Sequence, residues 1–253
     1  MPWPSYPLYP LMASRAGARP VAVDLVSGRA DTGALFEAVG ERTRALVLCN
    51  PNDPTGTYLA ADDVRRLARA LPEHVHLLVD EAYVEFQDVE DEDAVLRLVD
   101  EFERVTVFRT FSKIYGVSGL RCGYAVGSAS DARLLDAIAP ALGVNALTQA
   151  AVEYALRFGE DEIQRRRDLV IEQRRRVERA LPDLPVDAPE SQANFVWLHA
   201  GGFTGSQLAA HFKNEGVTVA PGGPLGADDH VRASIRGSVA TDRLLAALSK
   251  LEN

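Results

Sequence analysis

Along the first half of the chain, short apolar runs alternate with stretches whose apolar residues recur every three or four positions. The runs at 21–26 (VAVDLV), 45–49 (ALVLC), 75–79 (VHLLV), 104–108 (RVTVF) and 121–126 (RCGYAV) predict strands. Residues 32–39, 60–71 and 92–101 predict connecting helices, the second opening with Ala-Ala-Asp-Asp before an amphipathic run. Strand-helix-strand alternation predicts an α/β fold, a mostly parallel sheet with helices on both faces. Sites in such sheets gather at the carboxyl ends of the strands.

From residue 130 the pattern changes to longer helical periods, over 130–141, 145–158 and 160–181. The last carries "RRRDLVIEQRRR" among acids, which predicts a solvated face laced with ion pairs rather than a nucleic-acid patch. "LPDLPVDAPES" breaks the helix. A strand at 194–199, a helix at 205–215, strands near 217–220 and 230–235 and a helix at 240–251 then predict a smaller α+β unit. The expected division is a large domain over 1–158, then an interdomain helix and C-terminal small domain over 159–253.

Composition narrows the function classes. The 253 residues carry a formal net charge of −9, which disfavours nucleic acid and anionic membrane as general partners. No apolar run is long enough to span a bilayer. Cys49 and Cys122 both fall in apolar runs, which suggests reduced core thiols and a cytoplasmic protein. "MPWPSYPLYP" lacks a basic start followed by an apolar stretch and is not expected to be a signal peptide.

Three stretches carry candidate chemistry. "CNPNDPTGT" (49–57) is a string of turn formers that could simply join a strand to a helix. Asp80-Glu81, in "VDEAYVEF", could cap a helix, and no metal site is expected because no histidine or further carboxylate stands at ligand spacing. Lys113 follows a strand-like run in "FRTFSKIYGVSGLRCGY", where a lysine is either a solvated residue or an amine kept for Schiff-base chemistry. Together they suggest a pyridoxal phosphate site: a lysine for the aldehyde, a carboxylate (Asp80) for the pyridine nitrogen, and Ser112 and Arg121 as phosphate donors. The freed lysine would move the α-proton.

"NPNDPTGT", "DEAYVEF" and "TFSKIYGVSGLRCGY", with "ANFVWL" (193–198) and "HVRASI" (230–235), resemble the motifs of the fold-type I, class I/II aminotransferases in order and spacing. The resemblance is strongest to the histidinol-phosphate aminotransferase branch and covers the whole chain. It implies amino transfer between an amino acid or amino alcohol phosphate and a 2-oxo acid such as 2-oxoglutarate, by a homodimer. It implies that Lys113 bonds pyridoxal 5'-phosphate, Asp80 pairs with its pyridinium nitrogen and Tyr83 donates to its phenolic oxygen. It gives Ser112 and Arg121 the cofactor phosphate, Tyr6 the stacking position on the ring and Arg232 the substrate's carboxylate or phosphate.

The chain departs from that pattern in four places. Asp53 stands where an asparagine usually donates to the phenolic oxygen, Ala220 replaces a phosphate-binding arginine and Arg236 replaces a glycine. The resemblance implies roughly a hundred further residues ahead of this stretch, including a glycine-serine loop that grips the cofactor phosphate, so the sequence is expected to be a fragment, a misplaced start or a shortened protein. Aromatic amino acid transfer, a phosphothreonine-type decarboxylase and a catalytically silent fragment therefore stand as alternatives.

Overall fold

The computed structural model describes residues 1–251 apart from 140 and 142. Its central sheet holds β3 (Ala45–Cys49), β4 (His76–Asp80), β5 (Val105–Thr110) and β6 (Gly123–Val126) in that spatial order. The first three strands are parallel and β6 is antiparallel, which gives the mostly parallel sheet expected. Leu46, Leu48, Leu77, Val79, Val105 and Val107 form one core with Leu35 of α2 (Thr32–Glu37) and Val64, Leu67 and Ala68 of α3 (Ala61–Ala70). The alternation of buried residues in β3 and β4 is the period-2 signal of a strand. Asp31 accepts the Gly33 and Ala34 N–H groups and so caps α2, and Asp62 and Asp63 favour the N-terminal dipole of α3.

A second sheet, β7 (Phe195–His199), β8 (Ala220–Pro221) and β9 (His230–Ser234), is antiparallel in the order β7-β9-β8. It builds a separate core with α7 (Gly205–Asn214) and α8 (Ser238–Leu248). Thr204 and Gln207 close a capping box on α7. Tyr83, Phe86, Ile114, Ala193 and Phe195 form a third cluster between the two sheets. The remaining helices are α4 (Ala132–Ile138), α5 (Ala146–Phe158) and α6 (Glu160–Ala180). The helix expected over 130–141 is represented by α4, and residue 140 lies outside the described residues.

Four expectations need correction. The N-terminus forms a short strand β1 (Pro2–Trp3) and a helix α1 (Leu8–Arg15) that the prolines concealed. Pro7 precedes that helix and Pro10 sits in its first turn, where a missing N–H breaks no helical bond. The strand expected over 21–26 shrinks to β2 (Val23–Asp24), because Val26 and Arg29 pair around a turn with Ser27 and Gly28 at positive φ. Residues 92–101 give only a short 3-10 turn at Leu96–Asp100, preceded by Asp93, which accepts from Arg109 at 2.7 Å. Cys122 lies outside β6 and is only half-buried, whereas Cys49 is buried as expected.

The arginine-rich α6 is likewise more than a solvated face. Arg165 and Arg176 do make exposed pairs, with Glu162 and Asp242. Arg174, however, has a side chain only 1% exposed and donates to the Phe86 carbonyl at 2.7 Å and to Asp88 at 3.0 Å. Arg167 donates to the carbonyls of Glu85 and Gln87. Arg166 holds the carbonyl of Ile114, next to Lys113, at 2.9 Å. This helix therefore clamps the turn after β4 and the loop after β5.

Candidate active site

The parallel register sets Cys49, Asp80 and Phe108 side by side, so the loops after β3, β4 and β5 open at one edge of the sheet. Asp80 ends β4. Its Oδ1 accepts the Ala82 N–H at 3.1 Å and its Oδ2 accepts the Tyr9 hydroxyl at 2.5 Å. Burial pushes the Asp80 carboxyl above its ordinary pKa, and the bonds from Tyr9 and Ala82 and the charge of Lys113 oppose that rise.

Lys113 lies in the loop after β5, half-buried. Its Nζ donates to the Tyr83 hydroxyl at 2.8 Å. Burial lowers the pKa of this amine, with Asp53 acting against the shift. A lysine so placed reaches the neutral, nucleophilic form more readily than a solvated one.

The turn-former string is more than a connector. Asn50 exchanges two bonds with Leu59 across the loop, donating to its carbonyl at 2.9 Å and accepting its N–H at 2.7 Å. Asn52 accepts from Ser5 and donates to the Pro4 carbonyl, which ties the aromatic N-terminal segment to the same edge. Gly56 has φ +76°, and a Cβ there would lie 2.1 Å from Ser191 Oγ, so a side chain is excluded. These bonds present Asp53 between Tyr83, whose hydroxyl donates to Oδ2 at 3.1 Å, and Arg232, whose Nη1 donates to Oδ1.

Arg232 reaches the site from β9, where its register partners are Trp197 and Ala220. Its guanidinium lies 5.1 Å from the centre of the Phe195 ring, which meets Tyr83 edge-on. Burial disfavours the Arg232 charge, but Asp53 more than offsets it and the guanidinium pKa is raised. Arg236 is exposed and makes no ion pair among the described residues.

On the other side of Lys113, Arg121 Nη1 lies 3.4 Å from Ser112 Oγ and donates to the Ser118 carbonyl at 2.7 Å. Arg121 adopts a left-handed backbone, φ 54°, at a cost of about 1–3 kcal/mol for a residue with a side chain. Tyr6 is 36% exposed and meets Tyr9 edge-on at 5.3 Å, one ring removed from Asp80.

A family model for aminotransferase class I and II matches residues 1–251. The chain belongs to that family. An aromatic amino acid aminotransferase of Corynebacterium jeikeium (strain K411) is 39% identical over 254 residues, covering 98% of this chain and 66% of the relative. A histidinol-phosphate aminotransferase of Rubrobacter xylanophilus is 38% identical, covering 98% and 68%. Among solved structures, the histidinol-phosphate aminotransferase of Sinorhizobium meliloti in complex with pyridoxal-5'-phosphate superposes with a TM-score of 0.83 at 29% identity. It covers 98% of this chain and 70% of that one. The chain thus spans about two thirds of the length of such relatives.

Within this class I and II aminotransferase four of the expected residues fall into one connected network, while Ser112 pairs with Arg121 and Asp80 with Tyr9 apart from it. Lys113, Tyr83, Asp53 and Arg232 are joined in sequence by hydrogen bonds. Tyr9 was not among the expected residues, although it is the second aromatic of "PSYPLY", three positions after Tyr6. Asp80 and Glu81 separate: the first faces the site, while Glu81 turns the other way and pairs with Arg109 at 2.8 Å. Strand alternation carries that distinction.

Proposed function

We propose that this chain carries the core of an aminotransferase that moves an amino group between an amino acid or amino alcohol phosphate and a 2-oxo acid such as 2-oxoglutarate. The observation that supports it most is the half-buried Lys113 amine, its pKa lowered by burial, 2.8 Å from Tyr83. The cofactor is pyridoxal 5'-phosphate. The donor set fits it: an amine for its aldehyde, a carboxylate oriented by a phenol for its ring nitrogen, and a hydroxyl beside a guanidinium for its phosphate. When bound, it supplies an electron sink for the substrate's α-carbon.

Asp80 holds positive charge at the ring nitrogen, and Tyr9 and Ala82 fix the orientation of its carboxylate. Tyr83, once its hydroxyl turned from Asp53, would donate to the phenolic oxygen, Asp53 would stand beside that group and Tyr6 would stack on the ring. Ser112 and Arg121 would hold the phosphate. Lys113 Nζ gives and takes the proton that moves at the α-carbon, and Arg232 takes the substrate's carboxylate. We take residues 1–158 as the large domain, 159–253 as interdomain helix and small domain, and a homodimer as the working form.

Two donor classes compete. Ala220 beside Arg232 supplies no second cation, and Phe195 lines that side, which favours an aromatic amino acid. The charge of Arg232 keeps histidinol phosphate as the second reading.

Borohydride reduction of the protein in the presence of pyridoxal phosphate, followed by peptide mapping, is expected to place the label on Lys113. A label elsewhere, or none, overturns the role of Lys113.

A further inference from the structure

Asp53 is 3% exposed, and both of its carboxylate oxygens are engaged. Oδ1 takes Nη1 of Arg232 from β9, and Oδ2 takes the hydroxyl of Tyr83 from the turn after β4. Lys113, from the loop after β5, reaches the pair only through that hydroxyl. The cation expected to meet a substrate anion is therefore already neutralised by a buried internal anion. Ala220, the register neighbour of Arg232, adds no charge to replace what Asp53 cancels.

We propose that Asp53 is a specificity-determining residue, an internal competitor for Arg232 that makes this subsite select anions by their charge. A substrate anion can use only the guanidinium donors that Asp53 leaves free, and it does so beside a fixed negative charge out of water. The repulsion grows with the charge brought in, so a dianion is penalised more than a monoanion. A carboxylate is therefore accepted and a phosphate monoester disfavoured, which assigns the site to monoanionic amino acids rather than phosphorylated donors. This assignment rests on the aminotransferase reading and deepens it.

The test is calorimetric titration of the pyridoxal phosphate-saturated protein at pH 8 with benzoate and with phenyl phosphate, neither of which is an amino donor. The unsubstituted protein is expected to bind benzoate more tightly. Asp53→Asn, equal in shape and neutral, is expected to gain about tenfold or more in affinity for phenyl phosphate and clearly less for benzoate. In steady-state kinetics the same substitution should lower KM for a phosphorylated donor more than for a carboxylate donor. Tighter binding of phenyl phosphate by the unsubstituted protein overturns the proposal. So does an equal gain, or no gain, for the two probes in the variant. A protein with the expected charge order but no transamination would refute only the aminotransferase reading.

Discussion

Asp80 is held by two donors of different kinds, a buried phenol and a backbone amide, and removing either its charge or one donor separates their contributions. Asp80→Asn is expected to lower kcat by about 100-fold or more, the scale of losing one oriented electrostatic partner in a dry site. Tyr9→Phe keeps the charge and loses one hydrogen bond, so a fall of about tenfold is expected. The Tyr9 bond holds the Asp80 pKa down against burial. Its loss lets that pKa rise, so the acid limb of the pH–rate profile should move to higher pH in Tyr9→Phe. An unmoved limb with reduced kcat would point to a structural role for Tyr9 instead. At this scale the sequence was informative about residue types and silent about partners. Lys113, Asp80, Tyr83, Ser112 and Arg121 stand in local motifs, whereas Asp53 meets Arg232 across 179 positions and nothing local announces that pair.

The elements show why some assignments were legible and others were not. β3, β4 and α3 bury one face each, so a single strong period marks them. α6 presents arginines on several faces, and composition alone does not separate Arg174, which is buried against backbone carbonyls, from its solvated neighbours. The turn after β4 contains a comparable hidden group, Glu85. Burial pushes its carboxyl up to about 8 from an ordinary 4.5, and its Oε2 has no hydrogen-bond partner among the described residues. Between those two values the folded protein binds more protons than the unfolded chain, so stability falls as pH rises. The urea midpoint should therefore drop between pH 5 and pH 8, and Glu85→Gln should flatten that slope. An unchanged slope in the variant would show that Glu85 is not the group responsible.

Viewed whole, the molecule has three apolar clusters, and large apolar side chains stay exposed on α1 and α5. On α5, Leu147, Tyr154 and Phe158 lie on one stripe and are 72%, 67% and 68% exposed. Contiguous apolar surface of this kind promotes association. Tyr154→Glu combined with Phe158→Lys places opposite charges one turn apart and should lower light scattering at high concentration with little change in Tm. Equal scattering from the variant and the parent would locate the sticky surface elsewhere.

The span of 179 positions between Asp53 and Arg232 also bears on the order of events during refolding. The helices and the β3–β4–β5 crossovers are built from contacts closer in sequence, and such contacts form first because they close shorter loops. The proposed substrate subsite is among the longest-range contacts of the chain, so it is expected to be assembled late. On dilution from urea, the far-ultraviolet signal should return before the protein regains calorimetric binding of benzoate. A late-forming site of this kind would leave a window in which the chain has its secondary structure and no specificity.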